Sequence, residues 1–162
     1  MARAAHRVLF VGAMQLDPTI LRTSFDLVID RAPDLTLRFY EVLFARAPEL
    51  APMFRRDRNV QAKMLAGAIA AVLDHLDDAP WLETTLGELG AKHATYGVTT
   101  AMYDTVGAAL LATLAEIAAE AWTPEVEQQW KLAYGAIAAM MQAGVPLPRR
   151  PTQPSMELVI EA

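Results

Sequence analysis

The chain has 162 residues, 54% of them hydrophobic and 20% charged, with a formal net charge of −5. That length predicts one domain with a full core, and the acidic balance argues against nucleic acid, whose binding rests on clustered Lys and Arg. The absence of cysteine excludes disulfides, cysteine-ligated zinc, iron–sulfur clusters and thiol nucleophiles, and with nothing asking for an oxidising compartment a cytoplasmic location is expected.

In chain order, the opening MARAAHRVLFVGAM sets basic residues before a short apolar run. It lacks the long apolar core and small-residue cleavage site of a signal peptide, and reads as an N-terminal extension. Asp17-Pro18 is a cap followed by proline at the first helical position, opening a helix over 17–32. Ala32-Pro33-Asp34 restarts the chain into a second helix, with Leu35, Phe39, Val42 and Leu43 on one apolar face. Residues 48–53 form a short turn of helix, and the basic, polar run 55–59 a connecting loop. A helix over 60–76 puts Met64, Leu65, Ala68, Ile69 and Val72 on one side, and Asp77-Asp78-Ala79-Pro80 breaks it. The next helix, over 81–96, is stopped by Gly97. A further one over 100–121 keeps Met102, Val106, Leu110 and Ile117 in register. Thr123-Pro124-Glu125 supplies a cap, a proline and an acid facing the helix dipole, and Val126, Trp130, Ile137 and Met141 carry the last helix to Gly144.

No segment alternates as a strand does, and no apolar run approaches the roughly 20 residues that cross a bilayer. From Pro146 the run PLPRRPTQPS is too rich in proline for helix and reads as a flexible tail. The expected organisation is an all-α domain of six or seven helices over 17–145, between an extension (1–16) and a tail (146–162). Its excess of apolar side chains must be buried against the chain itself, a partner or an apolar ligand.

The stretch GAKHATYG, residues 90–97, holds His93, one of three histidines. Leu86, Leu89 and Gly90 precede it by seven, four and three residues and share its helix face. Two readings follow. His93 fills a helix interface, or it ligates a haem iron, which takes one imidazole on its proximal side and leaves the opposite position open. His6 and His75 read as surface residues.

The ordered pieces Lys92-His93, Gly97-Val98, Met102-Tyr103, Val106-Gly107 and Leu110-Leu111 resemble the proximal region of the bacterial globins, meaning the globin domain of flavohaemoglobins and the single-domain bacterial haemoglobins. Upstream, RFYEVLFARAPELAPMF, VQAKMLAGAIAAV and Pro80 fit the same pattern, and WKLAYGAIA matches the final helix. The resemblance covers about residues 17–143, and the ordered set Phe54, Gln61, Leu65, His93 and Tyr103 carries its specificity. It implies a globin fold enclosing haem b (iron protoporphyrin IX), with His93 as the iron ligand. Phe54, Gln61, Leu65, Leu89, Lys92, Val98, Tyr103 and Val106 would surround the cofactor, and Tyr40, Gln61 and Leu65 would face the gas.

The residues carry chemistry suited to those roles. A ligating imidazole needs an acceptor for its other N–H, and the carbonyl of Leu89, one turn earlier, is expected to provide it. Tyr103, ten residues on, is expected to bring its hydroxyl near the same ring. Bound oxygen takes partial negative charge, which an O–H from Tyr40 or an amide N–H from Gln61 stabilises. Each residue also has a plainer reading: Tyr40 reaching solvent from an interface, Gln61 solvated, Phe54 packed as core, Lys92 a solvated charge rather than a propionate partner.

In flavohaemoglobins a glutamate late in the last helix pairs with the proximal histidine. Register from Trp130 and Tyr134 places that position at Val145, in AIAAMMQAGVP, where no carboxylate lies nearby. The expectation is therefore reversible binding of oxygen, and of NO or CO, for transport, storage or buffering. The alternatives are nitric oxide dioxygenation, a gas sensor, or a haem-free helical interaction domain. Dioxygenation would need an external reductase, since the chain leaves no room for flavin or nicotinamide domains and has no phosphate-cradling glycine loop. Expected partners are diatomic gases and that reductase, with no nucleic acid and no membrane, in a monomer or homodimer.

Overall fold

The computed structural model describes residues 10–11 and 14–145. The expected tail and most of the expected extension, His6 included, lie outside the described residues.

Helix boundaries follow the caps. Helix α1 (Pro18–Arg31) begins where the Asp17 carboxylate accepts the backbone N–H of Thr19 at 2.8 Å and of Ile20 at 3.2 Å, ahead of a proline whose missing donor costs nothing there. Then come α2 (Leu35–Arg46), a 3₁₀ segment (Pro48–Met53), α3 (Arg58–Asp74), α4 (Ala79–Thr95), α5 (Thr100–Ala118), a 3₁₀ turn (Ala119–Ala121) and α6 (Pro124–Ala143).

Two helices start two residues before the expected point, because an aspartate assigned to a linker is a cap. Asp57 accepts from the N–H groups of Asn59 (2.9 Å) and Val60 (3.3 Å), so α3 begins at Arg58. Asp78 accepts from Trp81 N–H at 3.1 Å, so Ala79-Pro80 forms the first turn of α4 rather than a break. Gly97, at φ +85°, stops α4 as expected.

The class is all-α, as expected, with one correction: Phe10–Val11 pairs antiparallel with Met14–Gln15. Gln129 of α6 secures the chain just after this pair, accepting from Asp17 N–H at 2.8 Å and donating to the Gln15 carbonyl at 3.2 Å.

The larger core lies among α1, α2, α5 and α6, with Leu21, Val28, Leu35, Leu43 and Leu114 sealed from solvent. There the Trp130 indole packs beside Phe25 and donates to Ser24 Oγ at 2.9 Å. A smaller core of Leu82, Leu86, Tyr103, Ala138 and Met141 joins α4, α5 and α6. The segment Thr100–Ala121 is, by length and composition alone, apolar enough to cross a membrane, which corrects the expectation that no run approached that length. In this fold α1, α2 and α6 pack around it.

The helix that carries His93 is held by glycines. On α4, Gly90 meets the backbone of Met141 and Gly87 meets Gly144, with no room for a Cβ at Gly90 or Gly144. Helix α3 is held differently. It packs on α2, only Ala62 and Leu73 of its 17 residues are buried, and it makes little contact with α4. The two helices meet at their junction, where the His75 ring stacks on Trp81 with centroids 3.7 Å apart and its Nδ1 lies 2.8 Å from the Ala71 carbonyl. His75 is thus half-buried and packed at the junction, where the sequence reads it as a surface residue.

Candidate functional site

Away from that junction α3 and α4 make little contact, and aromatic side chains gather around α2. Tyr40 is 3% exposed, edge-on to Phe39 (5.0 Å) and Phe54 (5.3 Å) and stacked on Phe44 (5.8 Å). A cavity of about 250 Å³ opens here, lined by Tyr40, Phe44, Ala51, Phe54, Arg56, Arg58 and Gln61. Burial pushes the Tyr40 phenol above its ordinary range, and a hydrogen bond from the Gln61 amide acts the other way. The phenol therefore stays protonated at neutral pH. Leu65, one turn beyond Gln61, and Val106 of α5 are half-buried against the larger core.

His93 sits in the last turn of α4, half-buried. Its Nδ1 lies 2.8 Å from the Leu89 carbonyl, the acceptor expected from the sequence. That bond places the proton on Nδ1 and leaves the Nε2 lone pair free, with no hydrogen bond to it among the described residues. Leu89 and Val98 pack on the smaller core behind the ring, and the Tyr96 ring stands edge-on to it at 6.3 Å. Lys92 is exposed and makes no ion pair among the described residues.

Tyr103 departs from expectation. Its ring is drawn into the apolar cluster with Leu82, Leu86, Ala138 and Met141, and its hydroxyl makes no hydrogen bond to the His93 ring. It is tied through its backbone instead, the Tyr134 hydroxyl donating to the Tyr103 carbonyl at 2.5 Å. Burial raises both phenols above their usual range.

The structure therefore brings Tyr40, Phe54 and Gln61 together at one cavity, and His93, Leu89 and Val98, on and just after α4, are not among the residues that line it. Val72 and Tyr134 pack on both cores. The most exposed large apolar side chains are Val60, Met64 and Tyr96, at the ends of α3 and α4 farthest from their junction. A half-buried imidazole with one ring nitrogen free of hydrogen bonds, on a helix that makes little contact with the poorly covered α3, fits a flat apolar group carrying its own metal. Among the described residues, no cluster of three His, Asp or Glu could hold a bare ion. Phe44, Arg56 and Arg58 were not singled out in the sequence. Phe44 had a signal, lying four residues after Tyr40 and so on its face, whereas the two arginines sat in what reads as a polar linker.

A six-helix fold with a histidine-bearing helix set apart from an aromatic, hydroxyl-bearing wall defines a class. The globin family model matches residues 37–141, and the chain belongs to the globin family. It is 33% identical over 122 residues to a flavohemoprotein of Vibrio cholerae and 34% identical over 122 residues to one of Rhodopirellula baltica. Each alignment takes 74% of this chain but only 31% and 30% of the relative, so the chain spans about a third of the length of these curated relatives. Among solved structures it resembles a bacterial globin from Campylobacter jejuni, with 25% identity, a TM-score of 0.67 and coverage of 78% and 92% of the two chains. It also shares its fold with an engineered carbene transferase from Rhodothermus marinus, at 24% identity, TM-score 0.69 and coverage of 79% and 92%.

Proposed function

We propose that this globin holds haem b against His93 and reversibly binds diatomic gases, oxygen first, for transport, storage or buffering. The observation that carries this reading is the His93 ring itself: Nδ1 is fixed on the Leu89 carbonyl, and Nε2 makes no hydrogen bond among the described residues. Haem, when bound, supplies an iron with one position open to a gas.

The chain's own residues do the rest. His93 anchors the group, and the Leu89 carbonyl fixes its ring. Phe54 and Leu65 keep the surroundings apolar, which strengthens any polar contact made inside. Tyr40 offers an O–H at a cavity that Gln61 also lines. A carbonyl oxygen is a weaker acceptor than a carboxylate, and among the described residues no carboxylate is hydrogen-bonded to His93. A carbonyl acceptor in place of a carboxylate suits reversible binding better than oxidation.

The test is Tyr40→Phe in the holoprotein. Loss of a hydrogen bond to a partly charged ligand, on the order of 1.5–3 kcal/mol, should speed oxygen dissociation by about 10- to 100-fold. An unchanged off-rate would mean that Tyr40 does not reach the ligand.

A second reading, nitric oxide dioxygenation fed by a separate reductase, draws on the similarity to flavohemoproteins. NO consumption with a generic reductase supplied decides it. Turnover no faster than that of ordinary oxygen-binding globins removes this reading.

A further inference from the structure

Ion pairs among the described residues engage Arg22, Arg31, Arg38 and Lys131. Arg55, Arg56, Arg58 and Lys63 make none, although they fall within nine consecutive residues of a chain whose net charge is −5. The acid among them, Asp57, has its carboxylate committed to the cap of α3. Positive charge is therefore locally uncompensated.

Two of these cations line the cavity. Arg56 lies along α3, with Nη1 3.3 Å from the sulfur of Met64, an exposed side chain of the scarcely covered helix. Arg58 stands over the Phe44 ring, its guanidinium carbon 5.4 Å from the centroid. Neither contact satisfies a guanidinium. A thioether is a weak acceptor and an aromatic face accepts no full hydrogen bond, so most of the five N–H donors on each remain unused. The complement of this edge is an apolar plate carrying carboxylates on its rim, which the fork of an arginine matches in shape and charge.

We propose that Arg56 and Arg58 bind the propionate carboxylates of the haem, an inference that rests on the haem reading above. The pair, rather than Lys92 on α4, then holds the polar edge of the cofactor, and the run 55–59 is part of the site.

The experiment compares the holoprotein with Arg56→Gln/Arg58→Gln, each loaded with haem or with haem dimethyl ester, which has no free carboxylate. Cofactor loss to an excess of scavenging apoglobin is followed by absorbance. With haem, the variant should lose the cofactor about tenfold faster; with the ester, parent and variant should lose it at the same rate. Equal rates with haem, or the same acceleration with both pigments, would overturn the assignment. Arg55→Gln removes a neighbouring cation that does not line the cavity and should change the rate less than about twofold. If it matches the double variant, a general field is responsible and the assignment falls. Failure of the parent to take up either pigment would sink the haem reading itself, a result distinct from all of these.

Discussion

Gly90→Ala tests the contact that positions His93. An ideal Cβ at Gly90 would lie 2.6 Å from Met141 Cα and closer still to the Met141 carbonyl. Carbon atoms pack at about 3.5–4.0 Å, so α4 and α6 would have to separate by about 1 Å, and the obstacle is backbone that cannot rotate away. Overpacking of this kind costs about 1–3 kcal/mol. The smaller core sits between the same helices, so the separation also loosens Leu82, Leu86 and Met141. Against this, alanine is favoured over glycine inside a helix by roughly 1 kcal/mol. The net expectation is a destabilisation of up to about 2 kcal/mol. Gly135→Ala, inside α6 with nothing within 4 Å of the place its methyl would take, collects only the propensity gain, up to roughly 1 kcal/mol. Thermal melts followed by circular dichroism should therefore move in opposite directions, by about 2–4 °C per kcal/mol. If the two variants shift the same way, the close approach of α4 and α6 is misplaced.

Asp57→Ala should cost about 1 kcal/mol by leaving two N–H groups of α3 without their acceptor. Asp57→Asn should recover most of it in urea unfolding, and an unchanged midpoint in the alanine variant would mean that the cap does not form. The buried phenols predict weaker folding in alkali. Tyr40, Tyr103 and Tyr134 are all held above the ordinary tyrosine range by burial. The folded chain keeps these protons while the unfolded chain releases them near pH of about 10, so their contribution is present below that pH and is lost as pH rises toward the folded-state values. Phenolate absorbance should stay short of full ionisation until the helices melt, and complete ionisation with helicity intact would contradict the burial described.

Much of the helical order was readable because caps and prolines are local chemistry: Asp17-Pro18 and Thr123-Pro124 announce their helices without any tertiary help. Asp57 and Asp78 misled because the same residue types serve turns and caps, and only the backbone around them separates the two. The Leu89 acceptor was legible from a four-residue spacing on one helix. Tyr103 was not, because its ring direction depends on how α4, α5 and α6 meet, which glycine contacts between distant residues decide. The packing of His75 and the place of Arg56 and Arg58 were hidden for the same reason. Stacking on Trp81 and lining a cavity are tertiary facts, and the sequence shows only a histidine near a helix end and a polar run between helices.

The central claim is that His93 anchors a haem, and the most direct measurement is absorbance as haem is added to the cofactor-free chain and to its His93→Gly variant, without and with imidazole. The account predicts a sharp Soret band that saturates at one haem per chain. In the glycine variant the histidine-ligated spectrum should be lost, and added imidazole should restore it. No Soret band in the parent, or an identical spectrum in the variant, would contradict it.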